Sequence, residues 1–464
     1  MTETPIRRAP ASALYRAVWR WHFYAGLLIL PLLVLMAVTG GVYLFKDEIN
    51  DVTQRTLRFV EPAATAPLPP SALTARALAA HPGELKAYFP PAAPDRSAQV
   101  KIAGADGVKD SVYVNPYDGT VLGSAWDGGP SGSWAMWLVR KLHSLEYAGW
   151  LGNRLIEAAA GWMVLLVATG VYLWWPRGRN VGVLSPRRTR GRPLWRDLHA
   201  VTGLYTGLFI LFLAFSGLPW SGVWGKQFYK LSYAVGLGMP DGYWSNYPVS
   251  KVPAGEALDR TPWIMEHQPM PVSGASDGAP AALDQVVATL DALGVHPGYA
   301  LDMPSGPTGV FTASVYPHDV TQERVVHLDQ YTGKVLFDMG LDDLGPLGRA
   351  AEWGVSLHMG QAFGLANQIV LLLACAAMVL LAVSAAVMWW KRRPAGALGA
   401  PSVPEDFRIP QAILVIAVLA GVFFPLVGLS LLVVAGLELC VQAASLAAAG
   451  GLISAGRRQA SRLI

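Results

Sequence analysis

The sequence predicts a polytopic α-helical membrane protein. Two tandem span–outer domain–span units are expected to form a four-helix core with two small α+β domains outside the lipid, and a two-helix hairpin follows. Three observations lead there. Of 464 residues 53% are hydrophobic and only 15% charged, whereas a soluble chain carries nearer a quarter charged. The apolar excess falls in blocks of about 20 residues, enough to cross ~30 Å of hydrocarbon. The chain also matches itself, and four histidines stand at matched positions near the ends of the apolar blocks: His22 with His199, and His143 with His358.

In order, residues 1–21 read as a cytoplasmic N-terminus, 22–45 as the first span and 46–135 as the first outer domain. Residues 136–153 read as an interfacial helix, because Arg140, Lys141 and Glu146 interrupt its apolar pattern. The second span is 154–175, a cytoplasmic loop 176–199 and the third span 200–222. The second outer domain occupies 226–350, an interfacial segment with the fourth span 355–390, and a cytoplasmic loop 391–409. Residues 410–427 and 429–449 are fifth and sixth spans divided at Phe424-Pro425, either a tight hairpin or a re-entrant pair, before a cytoplasmic C-terminus at 450–464.

Charge sets the orientation. Arg7, Arg8, Arg16 and Arg20 precede span one, and Arg177, Arg179, Arg187, Arg188, Arg190, Arg192 and Arg196 fill the loop after span two. Lys391, Arg392 and Arg393 follow span four, and Arg457, Arg458 and Arg462 follow span six. Short basic loops stay in the cytoplasm, which places both termini inside and both long segments outside. The same alternation argues against nucleic acid as the partner of these clusters; membrane lipid is the surface they meet. The first apolar run is too long for a signal peptide and lacks a small-residue cleavage site, so it reads as a retained anchor. Cys375 and Cys440, the only cysteines, provide neither a disulfide framework nor a CxxCH site for covalent haem.

Self-comparison gives three ungapped matches. His22, Gly26, Thr39 and Gly40 map onto His199, Gly203, Ser216 and Gly217 at an offset of 177. Leu142-His143 and Trp174-Trp175 map onto Leu357-His358 and Trp389-Trp390 at an offset of 215. Outside the apolar blocks, 112–122 matches 326–336 at an offset of 214; both alternate apolar and polar residues and turn at Tyr-Asp-Gly or Tyr-Thr-Gly, a strand entering a hairpin. Residues 73–80 and 283–293 have helical spacing upstream, so each outer domain is one helix and a short antiparallel sheet. Pro-rich 61–70 and 269–280 read as linkers or loops. Two units of like orientation pack around a pseudo-twofold axis along the membrane normal, which faces His22 with His199 near the cytoplasm and His143 with His358 near the outer side.

An ionisable ring at a lipid-crossing segment is costly and usually functional. Two facing imidazoles suit six-coordinate haem iron, so the four histidines are candidate axial ligands of two non-covalent b-type haems. Gly26 and Gly203 stand four residues after His22 and His199 on the same helix face, leaving space for a flat ring; close helix packing is the other reading. Arg20, Arg196 and Arg140 lie beside the histidines, where they suit haem propionates or serve as snorkelling topology determinants. The plainer account of any one histidine is a hydrogen-bonded residue at a helix end. Zinc fits less well, because two imidazoles leave it short of ligands. Met265-Glu266-His267 with Met270 contains soft copper ligands, and an ordinary solvated loop accounts for it more simply.

On these residues the chain resembles the PepSY-associated transmembrane family. Trp19-Arg20-Trp21-His22, Thr39-Gly40-Gly41, the Tyr-x-Gly hairpins, Trp174-Trp175-Pro176-Arg177 and Trp389-Trp390-Lys391-Arg392 carry the resemblance over about 15–393, and the last two spans extend it. The resemblance implies a bacterial inner-membrane protein similar to di-haem ferric-siderophore reductases, with PepSY-like periplasmic domains and the four histidines as axial ligands. Such an oxidoreductase reduces ferric siderophore, or another ferric chelate, in the periplasm. With no GxGxxG motif in the chain, its electrons come from a cytoplasmic reductase or membrane quinol. A non-enzymatic anchored PepSY module that binds an extracytoplasmic partner is the alternative; an iron or siderophore permease ranks below it, because the spans lack the charges of an ion path.

Overall fold

The computed structural model describes residues 13–175, 184–186, 190–239, 249–274, 278–394, 411–434 and 436. From the N-terminus, α1 (Ala13–Tyr43) leads into α2 (Lys46–Thr53), α3 (Arg55–Arg58) and α4 (Pro70–Ala80). After a first group of strands come α5 (Trp134–His143), α6 (Gly149–Trp174), α7 (Arg192–Gly217), α8 (Trp224–Ala234) and α9 (Ala254–Ala257). Then follow α10 (Leu283–Ala292), α11 (Pro346–His358), α12 (Leu365–Arg392) and α13 (Gln411–Phe423). The long helices α1, α6, α7 and α12 are each apolar and long enough to cross a membrane.

These four close into a ring: α1 packs on α6 and α12, and α7 packs on the same two helices, leaving α1 and α7 diagonal. Ile29, Ala37, Ala159, Met163, Ile210, Ala214, Ala374 and Met378 fill the centre. Small residues there let backbones approach where lipid gives no hydrophobic drive to association. Two glycines aim the later helices: Gly149 opens α6 at φ 58° and Gly364 caps α12 at φ 54°, a left-handed backbone that a side chain resists.

The strands are β1 (Glu84–Phe89), β2 (Ala98–Ala103), β3 (Lys109–Val114), β4 (Val121–Trp126), β5 (Val249–Pro253), β6 (Pro269–Pro271), β7 (Ala300–Asp302), β8 (Val310–Val315), β9 (Arg324–Asp329) and β10 (Val335–Gly340). Both matched segments form the expected hairpins, with Gly119 at φ 74° and Gly333 at φ 66° in the turns. The helices expected at 73–80 and 283–293 are α4 and α10.

Two separate small sheets were expected, and here the structure differs. The strands form one eight-stranded antiparallel sheet in the order β10-β9-β8-β7-β1-β2-β3-β4. β1 and β7 join through Ala87↔Asp302 and Tyr88↔Leu301. In each unit's run of four strands in this sheet the first, β1 or β7, has a free edge, and pairing the two edges satisfies both sets of backbone groups. On one face α4 and α10 bury Leu73, Ala77, Val286 and Leu290 against Tyr88, Val100, Leu301 and Leu328. Ser71 also donates from its backbone N–H (2.8 Å) and hydroxyl (2.6 Å) to Asp284.

The Pro-rich 269–280 differs too: Pro269–Pro271 is strand β6 against β5, and proline is tolerated in such an edge pair. In the expected fifth span, 410–427, α13 has 13 residues, about 20 Å of helix, and ends at the Phe424-Pro425 break. A second short apolar helix, Pro425–Val434, follows. It folds back on α6, where Gly161 faces Phe424 and Val427 and Trp162 Nε1 donates to Ser430 Oγ at 3.0 Å. Apart from 411–434 and 436, the expected fifth and sixth spans lie outside the described residues, as do residues 1–12, Cys440 and the basic residues Arg177, Arg179, Arg187, Arg188, Arg457, Arg458 and Arg462.

Candidate metal centres in the helical bundle

The four singled-out histidines meet as two pairs at different depths. His22 on α1 and His199 on α7 face each other across the bundle at the end away from the sheet, with ring centroids 6.4 Å apart. His143 ends α5 and His358 ends α11; their centroids are 6.5 Å apart at the sheet end. Both pairs are nearly perpendicular, at 83° and 87°. Along α1, His22 and Thr39, which touches His143, are 17 positions apart, about 25 Å of helix.

Each ring is held at Nδ1 in one protonation state. Thr39 Oγ1 gives its proton to the Leu35 carbonyl (2.6 Å), so toward His143 Nδ1 at 3.0 Å it can only accept. Ser216 donates to the Phe212 carbonyl (2.7 Å) and accepts from His358 Nδ1 at 2.8 Å. Thr169 donates to the Leu165 carbonyl (2.7 Å) and accepts from His22 Nδ1 at 2.9 Å. His199 Nδ1 faces the Leu381 carbonyl at 3.2 Å and Ser384 Oγ at 3.3 Å, and Ser384 itself donates to Leu381. All four rings therefore carry their proton on Nδ1 and leave the Nε2 lone pair free, the metal-ligating tautomer with its outer hydrogen bond in place.

The spacing fits a shared metal. An imidazole nitrogen lies roughly 1.1 Å from its ring centre, and two metal–N bonds of about 2.0–2.1 Å put facing centres about 6.3 Å apart. Edge-to-face ring packing tolerates the same separation, but it does not require one tautomer in all four rings. Among the described residues no group of three or more His, Cys, Asp or Glu could hold a metal, so neither pair has a zinc-type ligand set. Two imidazoles alone suit a macrocycle that supplies the remaining donors.

Glycines shape the ring sites. A Cβ on Gly40 would stand 3.2 Å from His143 Cε1, one on Gly217 3.5 Å from His358 Cε1, and one on Gly170 3.3 Å from His22 Cε1. Gly26 and Gly203 face Leu166 and Leu381, 3.9 and 3.4 Å from a notional Cβ. Of the singled-out arginines, Arg196 is 61% exposed and pairs with Asp197, while Arg20 lies over Tyr24 at 5.8 Å. Arg140 is 3.8 Å from Glu146, and its Nε is buried with no acceptor, as suits a nearby anion. Met265 and Met270 sit in two separate apolar clusters, so those soft sulfurs do not converge with His267.

Sequence reading missed Thr169 and Ser384. They are 215 apart, the offset that relates His143 to His358, so extending that match along α6 and α12 finds them.

A bundle of four lipid-length helices, with two pairs of facing imidazoles and a sheet at one end, defines the class. The chain belongs to the PepSY-associated TM region family, whose model matches residues 19–392. None of the curated proteins matches it.

Proposed function

We propose that this protein is a di-haem electron conduit of the bacterial inner membrane, built from two span–outer domain–span repeats around a pseudo-twofold axis, that reduces ferric siderophore or a similar ferric chelate in the periplasm. The uniform Nδ1–H tautomer of His22, His199, His143 and His358 at iron-compatible spacing carries the reading. Two b-type haems, when bound, supply one-electron transfer between the cytoplasmic-side and periplasmic-side pairs. The chain's own work is to hold the rings, exclude water and present the outer pair beneath the sheet domain. Thr169 and Ser384 orient the inner imidazoles, and Thr39 and Ser216 the outer ones. One electron converts chelated Fe(III) to Fe(II), which siderophores hold far less tightly. A cytoplasmic reductase or membrane quinol is the donor class.

An absorption spectrum with a pyridine haemochrome count tests this. Protein from haem-replete cells is expected to carry two haems per chain, and His22→Ala and His199→Ala are each expected to lose the same one. A colourless preparation sinks the proposal and leaves an anchored PepSY module. The double change of His143 and His358 should keep one reducible haem and abolish reduction of an external ferric chelate; unchanged reduction removes the outer pair from the path.

A further inference from the structure

At the sheet end of the bundle a polar cleft of about 260 Å³ opens between the start of α6, the turn from α7 into α8, and Glu266-His267. Asn153, Trp220, Lys226, Glu266 and His267 line it. Its walls are fixed. Glu157 accepts the backbone N–H groups of Val223 (2.9 Å) and Trp224 (2.7 Å), which pins the start of α8 to α6. Arg154 packs its guanidinium on Gly222, in the space a Cβ would take. It also donates to Asn153 Oδ1 at 2.7 Å, which leaves the Nδ2 donors of that amide for a ligand. On the other side the Trp263 indole donates to the Pro219 carbonyl at 2.8 Å, and its backbone N–H to Glu352 Oε1 at 2.7 Å. The His267 ring stands edge-on to Tyr229, 4.8 Å between centroids. Ser216, which holds His358, is four positions before Trp220, about 6 Å of helix.

The cleft breaks the twofold pattern of the chain. At the offsets that relate the repeats, Gly222, Gly225 and Lys226 correspond to Phe45, Glu48 and Ile49, and Asn153 to Gln368. In the first unit the polar groups satisfy one another: Gln368 Nε2 donates to the Leu44 carbonyl (2.9 Å) and to Glu48 Oε1 (2.8 Å). In the second, Lys226 and the His267 ring nitrogens have no hydrogen-bond or ion-pair partner among the described residues. Glu266 and His267 come from the stretch between α8 and α10, across which the repeat offset grows from 177 to 214, so the second unit is longer there.

The lining is rich in donors: the Lys226 ammonium, the Asn153 amide and the His267 ring. Burial and the repulsion of Glu352, partly offset by Trp220, push the Glu266 carboxyl up to about 7, and a bound anion would favour its protonated form further. We propose that this cleft docks an anionic carboxylate chelate of Fe(III), held by Lys226, His267 and Asn153. Its purpose rests on the electron-transfer reading. Charge selects against a ferric trihydroxamate, whose ligand charges cancel those of the iron. Volume, below the ~300–1,000 Å³ common for small-molecule sites, selects against a bulky tris-catecholate. In the step Fe(III) gains one electron from the site of His143 and His358, no covalent bond of the chelator forms or breaks, and Fe(II) leaves the more weakly binding carboxylates.

The test uses the full chain in detergent with gallium(III) citrate, which mimics ferric citrate in charge and size but accepts no electron. Calorimetry compares wild type with Lys226→Gln, Lys226→Arg and His267→Gln, and with Lys230→Gln, which removes a charge one turn along α8 outside the cleft. Affinity is expected to fall about 10- to 100-fold in Lys226→Gln and about 10-fold in His267→Gln. It should recover in Lys226→Arg and stay unchanged in Lys230→Gln. In ferric citrate reduction the two weakened variants should raise KM rather than lower kcat. No gallium citrate bound by folded wild type, or equal affinity in every variant, overturns the proposal. An equal fall in Lys230→Gln marks general charge attraction and also overturns it. So does phosphatidylglycerol that copurifies with wild type and is lost from Lys226→Gln while gallium citrate does not bind, which assigns the cleft to a lipid headgroup. If His267→Gln does not fold, the exposed Lys226 variants decide. A colourless wild type defeats the electron-transfer reading alone, and gallium citrate binding then supports or overturns the cleft by itself.

Discussion

A hydroxyl that has already given its proton to the backbone one turn earlier can only accept, so Thr39, Ser216 and Thr169 fix the proton of the imidazole they touch. Removing such a partner frees the ring to rotate and lowers its basicity as a ligand. Thr39→Val and Thr169→Val are expected to fold, because each keeps the side chain's shape, and to bind haem about 10- to 100-fold more weakly. Thr39→Val should affect the haem that His143→Ala removes, and Thr169→Val the haem that His22→Ala removes. Haem titration of apoprotein checks both assignments, and equal loss from both sites in either variant contradicts them. Glu352 sits on the helix of His358 and is 3% exposed. Burial raises its folded-state pKa to about 7, so its stabilising contribution is complete below the unfolded value near 4.3 and is lost as pH climbs through 7. Glu352→Gln should flatten the fall in melting temperature between about pH 4.5 and 7, a term on the order of 3 kcal/mol. An unchanged slope assigns that fall to other groups.

At the scale of elements, the spans and hairpins were legible because their signals are local. A run of about 20 apolar residues or an alternating strand before Tyr-x-Gly needs no distant partner to be recognised. The β1–β7 seam was not legible, since Ala87 and Tyr88 meet Asp302 and Leu301 across more than 200 residues with no periodic signal. Nor was the buried cation beside it. Lys101 on β2 pairs with Asp127 at 3.0 Å and Asp259 at 2.5 Å, and the Lys101 and Asp127 side chains are only 5% and 6% exposed. Burial opposes the charge on Lys101, but the two carboxylates outweigh it and raise the ammonium pKa. Lys101→Ala leaves Asp127 as an uncompensated buried charge and should cost about 3–5 kcal/mol. Lys101→Met together with Asp127→Leu should recover most of that loss. Denaturation monitored by tryptophan fluorescence measures both variants; a single variant within 0.5 kcal/mol of wild type, roughly the scale of a neutral surface change, would show that the triad contributes little.

For the whole molecule, ligand geometry and sheet topology impose the same constraint. Each histidine pair takes one ring from each half of the chain, His22 with His199 and His143 with His358. The sheet likewise joins four strands from each half at one seam. Neither half alone completes a ring pair, and each would expose the edge of β1 or β7 that the other covers. A chain cut in the connection between α6 and α7 tests how far the halves depend on each other. Either fragment expressed alone is expected to retain no haem and to aggregate through its open strand edge. Co-expressed fragments are expected to copurify with both haems, because no described ligand, hydroxyl partner or strand pairing lies in that connection. Haem retained by the first fragment alone would mean that His22 and His143 each find ligands within their own half, against the pairing of each ring with one from the other half.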